Sequence, residues 1–413
     1  MLGLLPWRIK SYILYTMEQN SYKRNEKIVF ACLYDFQQMY FSKDVFLIPY
    51  YVAKQKGLSL LCYYGVNKGS TTIVSEHRGA KIIGGRWKRT TVLTELLDTI
   101  IQIVPRARKI DTLFVVGIST VHLLRVWVFK MINPKAHVIV FGDMEPKQAQ
   151  QIVETNFYQS KTPGNFIKQR LADFFFRHTL FCVANCEAFE TIKEIYEKRH
   201  WKGLLHYYPL LDDEAFAQYG MKRLSWEEKD NIMVCVGRIG NKQKNTEMLL
   251  SALEKVDLKD WKIYMLGPVT SSFDLNEKGD FQKIIDDFFQ RNPQHKEKLI
   301  FTGIIYDQKV IFDYYNRAKV LLMTSRHESW GNVYSEAAAL GCYIISTDVG
   351  GATLCSNNWQ FGTKIEQEDS TGLAKVLQDM VDGNLKIDTS KAISLEDMCY
   401  STQTQKNLSL VYE

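Results

Sequence analysis

The feature that most constrains this chain is a rhythm. From Lys27 onward, short continuous apolar runs alternate with longer stretches of helical spacing. The runs are KIVFACLY, LSLLCYYG, AKIIGG, DTLFVVGIS, HVIVFGD and LFCVAN, and between them lie segments such as DVFLIPYYVAKQKG and HLLRVWVFKMI. Strands that are apolar on both faces and separated by helices belong to parallel sheets buried on both sides. The rhythm breaks after HYYPLLDDEAF, where residues 212–230 are polar and charged. It restarts with NIMVCVG, WKIYMLG, KLIFTG, KVLLMTS and CYIISTD. The pattern predicts an α/β chain of two doubly wound, Rossmann-like domains in tandem, facing each other across a cleft. Their expected extents are 27–213 and 214–413, after an N-terminal extension over 1–26.

Composition agrees. A chain of 413 residues suits two domains of ordinary size. With 46% hydrophobic and 13% aromatic residues it can fill large cores, which excludes a disordered chain. A net charge of +6 suits phosphate-bearing ligands or an anionic membrane surface, and is equally common in proteins that bind neither. A nucleic-acid binder is disfavoured, because the excess is small and no binding motif stands out. The eight cysteines lie at 32, 62, 182, 186, 235, 342, 355 and 399, mostly in apolar runs and never as CxxC. They read as reduced core thiols of a cytoplasmic protein, with no zinc site expected. No apolar run approaches the roughly 18–20 residues of a membrane span. The start, MLGLLPWRIKSYILYTM, is a poor signal peptide. Two readings stay open for it: a short amphipathic membrane-surface helix, or an over-extended start with Met17 as the initiator.

In open α/β sheets, ligands bind beyond the carboxyl ends of the strands. Two stretches there carry candidate chemistry. SRHESWGNVYSEAAALG, from Ser325 to Gly341, holds Glu328 and Glu336. On one helix they would lie roughly 80° apart, a poor match for one face. Strand, loop and helix is the better reading. Glu328 then sits in the loop, Gly331 makes a tight turn, the helix starts near Asn332, and Gly341 lies just past its end. A helix start presents free backbone N–H groups to a phosphate. Gly331, Asn332 and Val333 would supply them. Glu336 is placed to accept bonds from vicinal hydroxyls such as those of a ribose, and Glu328 to reach a sugar beyond the phosphates. The plainer alternative is that Glu336 favours the helix N-terminus and Glu328 is a surface loop residue.

The second stretch, NIMVCVGRIGNKQKNTEMLLSAL, reads as strand, turn and helix. Arg238 follows the strand and Gly237, and Lys244 stands at the mouth of the next helix, with Lys242 a competitor. Arginine offers a forked contact to phosphate and lysine a point charge. The two stretches together suggest one diphosphate-sugar site.

On these residues the second half resembles the retaining family 4 glycosyltransferases of GT-B fold. In that family a Gly-Arg and a Lys contact the donor diphosphate, and a Glu, seven residues, Glu motif with an internal glycine follows the fourth strand. The matching positions are Gly237, Arg238, Lys244, Glu328, Gly331 and Glu336. FTGIIYDQKVIFDYYNRAKVLLMTS before the motif and STDVGGA after it add to the likeness. It is specific over about 231–352 and looser over 27–211. Two departures stand out. The loop after the first strand, DFQQMYFSKD, lacks the glycine pair of many relatives. Where many carry a histidine after the fifth strand, this chain has Asp143. Asp143 either holds an acceptor or sugar hydroxyl, as the resemblance implies, or caps the helix that follows.

The resemblance implies a metal-independent, retaining transfer of a sugar from a UDP- or GDP-linked donor to a glycan or lipid-linked acceptor, with no cofactor. The implied acceptor attacks on the leaving-group face, and the leaving phosphate takes its proton. Ile305, with Ile304 and Tyr306, would lie against the nucleobase. The N-terminal domain would hold the acceptor. By family analogy the setting is cell-surface polysaccharide biosynthesis, in the cytoplasm or peripheral at the inner face of the membrane. The stretches GGRWKR and FIKQRLADFFFRH are candidate membrane-facing or acceptor-facing surfaces, or a core face with a solvated basic edge. The rival reading is a non-catalytic nucleotide-sugar-binding subunit of a glycan assembly complex.

Overall fold

The computed structural model describes residues 26–35, 38–66, 75–88, 96–97, 99–142, 144–155, 163–270 and 281–412. The chain divides into two compact units. One runs up to Tyr208 and includes the segment from Thr404 onward; the other is Pro209–Gln403.

In the first unit the strands are β1 (Ile28–Asp35), β2 (Ser59–Val66), β3 (Glu76–His77), β4 (Ala80–Lys88), β5 (Ile110–Val116), β6 (His137–Gly142), β7 (Leu180–Val183) and β8 (Leu204–His206). They form one sheet in the order β3-β4-β2-β1-β5-β6-β7-β8. Every pairing is parallel except β3 with β4, a short antiparallel flap on the edge. Helices cover the sheet, and the core gathers the strand residues Phe30, Leu113, Val140 and Phe181 with Phe129 and Phe175 from the helices. The continuous apolar runs are therefore continuous because both faces of each strand are covered.

The second unit repeats the theme more regularly. Its strands are β9 (Asp230–Val236), β10 (Lys262–Leu266), β11 (Leu299–Gly303), β12 (Ala318–Met323), β13 (Tyr343–Thr347) and β14 (Gly362–Ile365). The order is β11-β10-β9-β12-β13-β14, all parallel. Winding outward in both directions from β9 and β12 is the dinucleotide-fold order, and its switch point lies between those two strands. Val320 pairs with Met233 and Leu321 with Val234 across it. Met233, Ile263, Val320, Leu322 and Ile345 from the strands pack with Leu249 and Leu253 from the helix Thr246–Leu253.

The polar stretch over 212–230 is not slack chain. Asp212 caps the helix Asp213–Gln218 by accepting from the Ala215 amide. Leu224 N donates to Asn316 Oδ1, and Asn316 Nδ2 donates to the Lys222 carbonyl. Lys229 is buried with its ammonium donating to the carbonyls of Tyr315, Asn316 and Ala318. Its charge is met by backbone dipoles, so a lysine in a polar run serves as an internal clamp.

No disulfide joins the cysteines, and burial pushes the Cys235 thiol up to about 12. Among the described residues no helix is long and apolar enough to cross a membrane.

The loops after β9 and β10 touch backbone to backbone. Gly237 N donates to the Leu266 carbonyl, and a Cβ on Gly267, at φ +138°, would stand 1.9 Å from the Gly237 carbonyl oxygen. Gly267→Ala is expected to cost at least about 2 kcal/mol, because neither backbone can yield. At Gly57, also at positive φ, nothing lies within 4 Å of an added Cβ. Gly57→Ala should cost only the left-handed strain of about 1–2 kcal/mol. Urea denaturation of the two variants measures the contrast.

Candidate active site

The sequence candidates of the second unit converge on the switch point. The loop after β9 carries Gly237, Arg238 and Lys244, and the loop after β12 carries Glu328 and Gly331. Because β9 and β12 are neighbours whose helices leave to opposite faces, their two loops diverge and leave a crevice between them.

Lys244 reaches across this crevice and forms an ion pair with Glu328 Oε1. Only 8% of the Glu328 side chain and 16% of the Lys244 side chain are exposed, so the pair is largely shielded from water. Gln243 joins the same carboxylate: its Nε2 donates to Glu328 Oε2 at 3.2 Å and to the His327 carbonyl at 2.9 Å. The Arg238 guanidinium lies exposed and donates to Gln243 Oε1 at 3.0 Å. Arg238, Gln243, Glu328 and Lys244 thus form one chain of polar contacts. Lys242, the other lysine of the loop, is exposed, and its carbonyl accepts from Arg326. Gly237 lets the Lys244 stem lie flat, since a Cβ there would come 2.8 Å from Lys244 Cε.

Gly331 stands at φ +82° as the N-cap of the helix Asn332–Ala339. The helix therefore begins at the residue expected, and the first N–H groups of a helix, here those of Asn332 and Val333, have no partner within the helix. Trp330 anchors the turn from below: it is fully buried, and its indole N–H donates to Ser335 Oγ at 2.8 Å. The glycines of STDVGGA close over the same turn. Gly351 N donates to the Trp330 carbonyl at 2.8 Å, and a Cβ on Gly350 would meet that oxygen at 2.3 Å and Glu328 Cβ at 2.9 Å. Glu336 falls on the helix body, half-buried beside Tyr315. Burial first, and then the neighbouring Glu336 carboxylate, push the Tyr315 phenol well above its ordinary value.

Ile305 follows β11, two strands from β9, with Ile304 and Tyr306 exposed on either side of it. Its loop is tied inward through Gly267, whose amide donates to the Gly303 carbonyl at 3.0 Å. Asp143 lies outside the described residues, as do Phe36 and Gln37 of the loop DFQQMYFSKD. So do the side chains of Arg86, Trp87 and Lys88 in GGRWKR. In FIKQRLADFFFRH, Phe166 and Ile167 are exposed, while Phe175 and Phe176 are core. Among the described residues no three His, Cys, Asp or Glu side chains gather as a metal site would require.

One residue of the site was passed over in the sequence. Arg326 holds the two loops to each other. Its amide donates to the Gln243 carbonyl at 2.7 Å, and its Nη1 donates to the Lys242 carbonyl at 2.6 Å and to Glu247 Oε1 at 3.0 Å. Its Nε and Nη2 grip both oxygens of Glu368, at 2.6 and 3.1 Å. Thr324 Oγ1 adds bonds to the carbonyls of Lys244 and Asn245. The available signal was an arginine three residues past the end of β12, in SRHE. Nothing in the sequence marked Glu247 and Glu368 as its partners.

Comparisons with known proteins bear on this site. Residues 230–382 match the family model described as "Glycosyl transferases group 1". A D-inositol 3-phosphate glycosyltransferase of Streptomyces avermitilis is 33% identical over 75 residues, which is 18% of this chain and 16% of that protein. The match thus spans about a sixth of the relative's length. Among solved structures, Anabaena Alr3699/HepE in complex with UDP superposes with a TM-score of 0.62 at 15% identity, covering 94% of this chain and 99% of that one. An α,α-trehalose-phosphate synthase (UDP-forming) from Burkholderia xenovorans, in complex with glucose-6-phosphate, gives 0.62 at 10% identity, covering 94% and 100%. At such identities the likeness shows the fold, and the fold is GT-B: two Rossmann-like α/β domains.

The Arg326 clamp has a measurable consequence. The hydrogen bond with Arg326, ahead of other effects, holds the Glu368 carboxyl below its ordinary value. A depressed folded-state pKa adds stability above the unfolded value of about 4.3, and that stability is lost as pH falls through the folded value. Arg326→Gln should therefore flatten the acid limb of the stability profile. It should also cost about 1–3 kcal/mol at neutral pH and speed amide exchange across residues 324–331. Denaturation at several pH values and hydrogen-exchange mass spectrometry read both effects.

Proposed function

We propose that this chain is a glycosyltransferase that moves a sugar from a nucleotide-sugar donor to a saccharide acceptor, with the donor held in the second unit. The observation that carries this is the Lys244–Glu328–Gln243–Arg238 array at the β9/β12 switch point, beside the N-terminus of the helix Asn332–Ala339. Two cations and a set of helix N–H groups suit a diphosphate, and a shielded carboxylate next to them suits the hydroxyls of the sugar it carries. The group 1 family match covers this segment, and similar structures are described with UDP or a sugar phosphate bound.

In the proposed reaction the bond between the anomeric carbon and the diphosphate oxygen breaks, and the acceptor oxygen forms a new bond to that carbon. The acceptor proton passes to the departing diphosphate. Negative charge grows on the diphosphate as the bond breaks, and Arg238 and Lys244 stabilise it in place. Glu328 orients the sugar and keeps the Lys244 ammonium aimed at the leaving group. Glu336 is assigned the ribose, and Ile305 the edge of the base. Attack on the leaving-group face, retention, independence of metal and the family 4 assignment are parts of the same reading. So are an acceptor held by the first unit through Asp143 and a role in surface-polysaccharide assembly at the inner face of the membrane.

The test begins with calorimetry against UDP, GDP, ADP and their common sugars, in chelator. One nucleotide should bind, and Arg238→Ala should weaken it at least about tenfold. Glu328→Gln and Lys244→Ala should lower transfer about 10²–10³-fold with the fold intact. Wild-type turnover in both variants sinks the site assignment. Binding that appears only with added divalent metal sinks the metal-free reading.

A further inference from the structure

The first unit has a second concave feature, at the edge of its sheet opposite the strand ends where ligands of this fold class sit. The starts of β6, β7 and β8 lie side by side there. They floor a hollow of roughly 370 Å³ that Lys130, His137, Arg177, His178 and Lys202 line. No carboxylate is among its lining residues.

The fold brings these cations together. Lys130 and Arg177 stand in the last turns of the helices Thr120–Ile132 and Pro163–Arg177, which deliver them to the strand starts. Cations at helix C-termini are ordinary dipole partners, and two alone would need no further explanation. Here a third arrives from a separate loop. Gly203, at φ +84°, holds that loop against the sheet: its carbonyl accepts from Phe181 N at 2.6 Å, and a Cβ would sit 2.7 Å from the Thr179 carbonyl oxygen. Lys202 is thereby pinned at the rim. Among the described residues neither Arg177 nor Lys202 has an ion-pair partner, and Lys130 is held by the carbonyls of Pro134 and Ala136.

Gathering like charges without a countercharge is unfavourable. Burial lowers the Lys130 pKa, and burial lowers that of His137, where the Lys56 and Lys130 charges act downward and the Asp111 carboxylate beside them acts upward. A bound anion would offset that cost. The forked guanidinium and two ammonium groups match the oxygens of a phosphate better than a lone carboxylate, and the hollow is larger than a single ion needs.

We propose that the hollow walled by Lys130, Arg177 and Lys202 is a binding site for a phosphate-bearing ligand. It is independent of the donor site and stands whether or not the proposed transfer reaction does. The phosphate comes either from a soluble phosphorylated metabolite or from a lipid headgroup. The second source is in play because Trp127 and Met131, on the helix that carries Lys130, are 41% and 67% exposed.

The test compares the full-length wild type, Arg177→Gln/Lys202→Gln and Arg238→Ala. Each is titrated with glycerol 3-phosphate and sedimented with phosphatidylcholine vesicles with and without phosphatidylglycerol. Glycerol 3-phosphate binding weakened about tenfold or more by the double variant, and untouched by Arg238→Ala, establishes the site with a soluble ligand. Sedimentation that needs phosphatidylglycerol, falls to the same degree in the double variant and occurs without glycerol 3-phosphate binding establishes it as a headgroup site. No binding in either arm, or binding unchanged in the double variant, overturns the proposal. Arg177→Lys/Lys202→Arg keeps both charges and should retain binding, which separates loss of charge from loss of fold.

Discussion

The ion pair between Lys244 and Glu328 is the contact on which the rest of the second unit's site depends. It joins two loops that leave adjacent strands for opposite faces of the sheet. Such a pair is a poor source of net stability, because two charges must give up water to form it. Breaking it is another matter, since the surviving charge would be left in a site with little solvent. The structure surrounds the pair accordingly. Gln243 occupies the second carboxylate oxygen, Arg238 stacks its own hydrogen bond onto Gln243, and the Arg326 clamp fixes the spacing of the two loops. The arrangement fixes where positive charge stands, which is what a departing diphosphate needs.

Sheet topology explains why these residues meet at all. Gly237 and Glu328 are far apart in the chain, and only the β9–β12 pairing makes their strand ends neighbours. The glycines at the same edge follow from crowding. Three loops and the Trp330 turn converge there, and backbone approaches backbone more closely than any side chain permits. In the first unit the same winding concentrates cations at the opposite edge. Helices that run back against parallel strands end where the strands begin, so basic residues in their last turns collect there.

Much of this was legible in the amino-acid sequence. Apolar runs without alternation required buried parallel strands, and their repetition required two sheets. The elements too short or too polar to carry that signature, β3, β8 and β14, did not stand out. The turn at Gly331 and the helix start at Asn332 were readable because a glycine after a strand and before an apolar helical stripe has few other uses. Arg326 was not readable as a clamp. Its partners Glu247 and Glu368 lie on separate elements, and no local pattern links them. Lys229 was misleading in a similar way, because a lysine in a charged stretch looks solvated until three carbonyls are seen to surround it.

The sequence by itself determined the fold class, the strand-end location of the candidate residues and their chemical types. Those properties rest on local periodicity and on backbone preferences that act over a few residues. Only the tertiary structure decided which lysine meets Glu328, which arginine holds the loops together, and that Lys130, Arg177 and Lys202 face one hollow. Those are contacts between residues distant in the chain. They depend on strand order and on the direction in which each helix returns, neither of which leaves a mark on the neighbouring residues.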